Sequence, residues 1–115
     1  LLTEDKFIIL KNIKKFIISL EPLLNTFPKK DYFSKDTIYK DSLDLLELIY
    51  KANYTNDLNL KKIYQIEALS KINKIDFFLE RAYKLKYISE KQVLRKSEEL
   101  LKINKMIYMW CKNDK

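Results

Sequence analysis

The sequence contains no glycine, no histidine, one cysteine and two prolines. Without glycine there is no phosphate-cradling loop, dinucleotide fingerprint or nucleophile elbow, because each needs a backbone position that only glycine tolerates. Without histidine, and with Cys111 the sole thiol, zinc fingers, Ser-His or Cys-His catalysis and histidine-ligated metals are excluded. A lone cysteine forms no internal disulfide, which suits a reducing cytoplasm. No apolar run approaches the ~20 residues of a membrane span. The chain opens on Leu1-Leu2-Thr3, too short for a signal peptide and lacking Met, so the numbering is expected to begin inside a longer reading frame.

What is present suits one folded domain spanning 1–115: 47% apolar residues, 34% charged residues and a length that supports a single core. The net charge is +7, carried by 21 Lys and 2 Arg. That balance favours an anionic partner: nucleic acid, an acidic protein or a membrane surface. A lysine-, isoleucine-, asparagine- and tyrosine-rich composition is also what an A/T-rich genome produces, so position matters more than the total. Residues 33–56 are net −1, whereas 57–88 and 89–115 are each net +3.

Apolar residues recur with helical period throughout, and no segment alternates with period two. Thr3 with Glu4 and Asp5 reads as a helix start, and the first helix is expected over about 3–25 with Ile9, Ile13, Phe16, Leu20 and Leu24 on its core stripe. Pro22 is expected to kink its last turn. Ser34 is the expected cap of a second helix, about 34–54, with Ile38, Ser42, Leu45, Ile49 and Ala52 at 4-3-4-3 spacing. A third, about 58–86, carries Ala68, Ile72, Ile75, Leu79 and Ala82. Ser89-Glu90-Lys91-Gln92 is a capping box, with Ile88 and Val93 in the staple positions, and it opens a fourth helix over about 89–112. Four amphipathic helices with short connections predict an all-α, antiparallel up-down-up-down four-helix bundle.

On the fourth helix Lys91, Arg95, Lys102, Lys105 and Lys112 fall opposite the expected core stripe of Val93, Ser97, Leu100, Asn104, Ile107 and Cys111, interrupted by Glu98. At helical rise the row is about 30 Å long, a track for a phosphate backbone of RNA or DNA. Lys74, Arg81 and Lys84 on the third helix are further candidates, diluted by Asp76 and Glu80. Lysine lacks the bidentate fork of arginine, so backbone attraction is expected with little base reading. The fourth helix is also apolar beyond one stripe. Ile103, Met106 and Trp110, extended by Met109, are expected to form a homo-oligomer interface, joined by Phe7 and Ile18 on one ridge of the first helix. Tyr32, Tyr39, Tyr50, Tyr54, Tyr83 and Tyr87 read as structural. No catalytic constellation emerges: Asp41, Asp44 and Glu47 lie off the apolar stripe, Glu98 and Glu99 diverge by 100°, and Cys111 is expected to be inertly buried. A non-enzymatic protein without metal or cofactor is the expectation.

Three segments resemble a known family. Leu20-Glu21-Pro22-Leu23 followed by Phe27-Pro28-Lys29 matches a proline-bearing first helix and its "FPK" break. Phe78-Leu79-Glu80-Arg81-Ala82-Tyr83 through Ser89-Glu90-Lys91-Gln92 matches the third-to-fourth helix junction. Ile103-Asn104-Lys105-Met106-Ile107-Tyr108-Met109-Trp110-Cys111-Lys112 matches an ending that reads IGKMIGGWIK in the family, with Asn104, Tyr108 and Met109 in place of its glycines. These resemble the four-helix-bundle family of diversity-generating retroelement accessory (Avd) proteins and of proteins encoded in 23S rRNA intervening sequences. The resemblance implies a homopentamer with basic surfaces and, for the Avd branch, binding to a reverse transcriptase and its template RNA in mutagenic cDNA synthesis. For the intervening-sequence branch it implies a protein–protein interaction bundle whose basicity is incidental. The missing glycines imply different packing around Trp110.

Overall fold

The computed structural model describes residues 8–113, and Phe7, Thr3 and the first turn expected around them lie outside these. Four helices follow one another: α1 (Ile8–Leu24), α2 (Tyr32–Tyr54), α3 (Leu58–Lys84) and α4 (Glu90–Asn113), with a single 3₁₀ turn at Lys29–Asp31. Each helix packs on two neighbours, α1 on α2, α2 on α3, α3 on α4 and α4 on α1, closing a four-helix bundle of 43 × 27 × 23 Å. The architecture is the one the periodicity predicts, because apolar residues at 3- and 4-residue spacing give each helix a single face to bury.

The core is built from those faces. Ile13, Leu20, Ile38, Leu45, Ile49, Ile75, Leu79 and Ile107 are fully buried. α1 continues through Pro22 to Leu24, although Pro22 has no amide proton to offer the Ile18 carbonyl.

The helix ends show how a glycine-free chain turns. α2 is capped by Asp31, whose Oδ1 accepts from the Ser34 amide at 3.3 Å, so the cap lies three residues before the expected Ser34. Ser34 is instead buried, and its hydroxyl accepts from Arg81 at 2.6 Å. Asp57 caps α3 through the Asn59 and Leu60 amides. α3 ends two residues short of expectation, because Lys86 takes a left-handed conformation at φ 66°. The Lys86 amide then donates to Tyr83 O and the Tyr87 amide to Ala82 O, both at 2.9 Å, which is the Schellman pattern. Lysine does here what glycine does elsewhere, at a steric cost of about 1 kcal/mol. The capping box forms as its residues predict: Gln92 N donates to Ser89 Oγ at 3.1 Å and Ser89 N to Gln92 Oε1 at 2.8 Å. Beneath it Ile88 is buried.

Candidate nucleic-acid interface

The solvent face of α4 is set by which residues its core face takes. Lys96, Leu100, Ile103 and Ile107 are buried, with Val93, Ser97, Asn104 and Cys111 half-buried beside them. The buried arc is therefore rotated toward α1 relative to the expected Val93–Cys111 line. Lys91, Arg95, Lys102, Lys105 and Lys112 remain exposed on the far side. None of the five forms an ion pair among the described residues, and Glu98 between them forms none either.

The candidates on α3 differ. Arg81 is committed to the fold: its Nη1 lies 2.9 Å from Asp31 Oδ2 and donates to Ser34 Oγ. Tyr87 Oη donates to the same Asp31 oxygen at 2.8 Å. The Arg81 guanidinium, aided by Tyr87 and Ser34, holds the Asp31 carboxyl well below the usual carboxylate range although burial opposes it, and the hydrogen bond to Asp31, with burial and the Asp31 charge, pushes the Tyr87 phenol upward. This network pins the α1–α2 break to the α3–α4 junction, so Arg81 is a tertiary clamp rather than a free cation. Lys74 lies 3.2 Å from Asp41 and Lys84 3.3 Å from Glu80. Asp41 also holds Lys71 at 3.3 Å, with Asp44 at 3.4 Å. Burial works against the Lys71 charge, but the two carboxylates outweigh it and raise its pKa. Asp36, Asp41, Asp44 and Glu47 of α2 and Glu80 of α3 are thus engaged with lysines of the same two helices, whereas the row on α4 has no such partners.

Sequence reasoning missed Lys96. It is only 7% exposed, inserted between α4 and α1. Its ammonium donates to Ser19 Oγ and to Glu99 Oε1, the latter at 2.9 Å, and lies 5.6 Å from the centre of the Phe16 ring. The signal was available: Lys96 precedes Leu100 by four residues and Ile103 by seven, in phase with the buried arc.

The expected oligomer surface is redistributed. Ile103 is 1% exposed and belongs to the subunit's own core, so it is unavailable to a partner. Met106 and Trp110 are half-buried against that core, and the Lys61 ammonium lies over the Trp110 ring at 5.4 Å. The apolar girth that these three add to α4 is absorbed by the rotated packing on α1, where Asn12 Nδ2 reaches the Met106 sulfur at 4.0 Å. Met109 and Ile18 are exposed, and Phe7 lies outside the described residues. Cys111 is half-buried rather than buried. Among the described residues no cluster of acidic or thiol side chains has the arrangement of a metal site, and no helix is long and apolar enough to cross a membrane.

No family model and no curated protein matches the sequence. The fold is similar to that of a protein of unknown function from the S23 ribosomal protein family of Bacteroides thetaiotaomicron VPI-5482. The TM-score is 0.83 at 17% identity, covering 90% of this chain and 98% of that one. At that identity the likeness establishes the four-helix-bundle fold.

Proposed function

We propose that the chain is a non-enzymatic nucleic-acid-binding module that holds a phosphate backbone along α4. One observation carries the reading: Lys91, Arg95, Lys102, Lys105 and Lys112 form an exposed row without ion-pair partners, whereas Lys71, Lys74, Arg81 and Lys84 are held by acids. Pairing lysines with acids costs an anionic ligand its attraction, and a row left unpaired retains it. The α3 candidates are dropped from the site for that reason.

Engaging three to five phosphates predicts a slope of log affinity against log salt of about −3 to −4.5 on duplex. Raising salt from 50 to 200 mM then weakens binding roughly 40- to 500-fold. Filter binding with labelled RNA and DNA tests this. Lys102→Gln is expected to reduce the slope by about one and to leave the fold intact, since its side chain is exposed. Affinity that is flat in salt, or no binding at 50 mM, refutes the reading.

The motif resemblance supports a finer version, in which the bound strand is template presented to a reverse transcriptase. Co-purification of such an enzyme with template RNA tests it. The likeness to an S23-family protein supports a second reading, a protein–protein bundle of the 23S rRNA intervening-sequence type. Capture of a protein partner together with salt-insensitive nucleic-acid behaviour would decide for that second reading.

A further inference from the structure

We propose that the aromatic patch built by Phe33 of α2 with Phe77 and Phe78 of α3, continued by Leu85, docks an acidic segment of a partner protein through that segment's apolar side chains. None of these residues belongs to α4 or to its lysine row, and the inference stands whether or not α4 holds nucleic acid.

Phe33, in the first turn of α2, is 69% exposed, Phe77 is 59% exposed, and half-buried Phe78 lies between them. The ring centroids of Phe33 and Phe78 are 6.1 Å apart and those of Phe77 and Phe78 5.5 Å, so the three rings form one continuous surface. Phe77 and Leu85, the latter 46% exposed, then bound a hollow of about 310 Å³ on the outer side of α3, with Glu80, Arg81 and Lys84 around it. The patch is fixed in place before any ligand arrives. Arg81, one turn beyond Phe77, is bonded to Asp31 and Ser34, which stand on either side of Phe33 in the chain. Apolar surface that is already ordered costs a partner little to use.

Area and charge select the occupant. At roughly 200 Å² for each fully exposed phenylalanine and slightly less for leucine, the exposed fractions amount to about 300–350 Å² of apolar surface. One turn before Phe77 and Phe78 the surface turns ionic, with Lys74 on Asp41 and Lys71 on Asp44, so the patch grows no further that way. A second copy of the chain needs ~800 Å² on each partner, whereas a peptide segment held by two or three apolar anchors needs no more than is present. Bases need a flat face for each to stack on, and these rings are inclined 60° and 84° to one another with no plane in common. Aliphatic and aromatic side chains pack against them at any tilt. Of the charges nearby, Glu80 is taken by Lys84 and Asp31 by Arg81. Lys29, Lys30 and Lys86 are exposed and form no ion pair among the described residues. Lys30 adjoins Asp31 and Lys86 follows Leu85, so these free cations border the junction end of the patch. They favour carboxylates beside the partner's apolar anchors and repel lysines there.

Selection of a random twelve-residue peptide library on the parent chain, with the Phe33→Ser, Phe77→Ser double variant as counter-selection, tests the site. Enriched peptides are expected to carry a net charge of about −2 or lower and at least two of Leu, Ile, Phe and Trp. Synthesised with a fluorescent label and titrated by anisotropy, they are expected to lose about tenfold or more in affinity with Phe77→Ser. Lys29→Glu with Lys30→Glu is expected to weaken them about fivefold, and Lys102→Gln on α4 to leave them unchanged. Phe77 is exposed in the middle of α3, so Phe77→Ser is expected to keep the parent's helical circular dichroism; it carries the test alone if Phe33→Ser loosens the start of α2. No enrichment, enrichment of neutral or basic peptides, or an affinity indifferent to Phe77→Ser overturns the inference. It is equally overturned if Phe77→Ser lowers the mass of the parent chain in light scattering, which assigns the patch to a second copy. Loss of binding to phosphatidylglycerol–phosphatidylethanolamine vesicles or of salt-dependent RNA binding in the same variant overturns it too, in favour of a membrane or a strand. The nucleic-acid proposal is read separately, by Lys102→Gln in the salt series.

Discussion

Lys96 and Glu99 are predicted to respond to substitution very unequally. The two charges are 2.9 Å apart, with the Lys96 side chain 8% exposed and that of Glu99 35% exposed. At an effective dielectric constant of about 20 their attraction is roughly 6 kcal/mol, and it is offset by several kcal/mol of desolvation, most of it borne by the lysine. Glu99→Gln removes the attraction and leaves a buried ammonium with Ser19 Oγ, a neutral amide and the Phe16 ring. The full cost of stranding a buried charge is 3–5 kcal/mol, and the exposed mouth of this site lowers it to about 2–4 kcal/mol. Lys96→Met removes the desolvation together with the attraction, keeps a straight apolar stem of similar length, and leaves Glu99 able to turn to water. That variant is expected within about 1 kcal/mol of the parent chain. Urea unfolding followed by helical circular dichroism, fitted with a common m-value, separates the two. The gap of at least ~1 kcal/mol corresponds to roughly 4 °C in Tm for a chain of this size. If Lys96→Met destabilises as much as Glu99→Gln, the ammonium is a net source of stability and the desolvation argument is wrong.

Three further outcomes follow from the packing. Gln65 is fully buried, and neither side-chain amide atom has a hydrogen-bond partner in the structure, so Gln65→Met is expected to raise stability by about 1–3 kcal/mol in thermal melts; a loss would mean the amide is satisfied in solution. Lys86→Gly removes the left-handed strain and is expected to gain about 0.5–1 kcal/mol, less if the extra freedom of the unfolded chain dominates; a loss beyond 0.5 kcal/mol refutes the cap assignment. Asp31→Asn is expected to cost about 2 kcal/mol at neutral pH by weakening the bonds from Arg81 and Tyr87. Because the folded Asp31 carboxyl is depressed, its stabilisation is complete above its unfolded value of about 4 and drains away as pH falls below that. Acid unfolding of Asp31→Asn should therefore be flatter between pH 4 and 2 than that of the parent chain, and parallel acid limbs would refute the clamp.

The number of helices, the capping box at Ser89 and the exposed lysine row were legible in the sequence because each is written locally. Periodicity fixes which face is apolar, a four-residue pattern fixes a helix start, and a charge on the opposite face has nowhere to go but water. Boundaries were less legible where a side chain had a distant competitor. Ser34 is a good cap by residue type, but Arg81, 47 positions away, takes its hydroxyl, and Asp31 caps instead.

What only the tertiary structure decided is the rotation of α4 about its own axis. An apolar arc wider than one stripe permits several rotations, and periodicity ranks none of them. Packing on α1 turned Ile103 inward with Met106 and Trp110 beside it, buried Lys96, and left Leu94, Leu101 and Tyr108 half in water. Which cations stay unpaired was likewise beyond the sequence, because an ion pair between α2 and α3 depends on distances across the bundle and not on spacing along a helix. The chain's own pattern therefore settles that it forms a bundle with a basic edge, and the mutual fit of its helices settles which residues that edge and the open face contain.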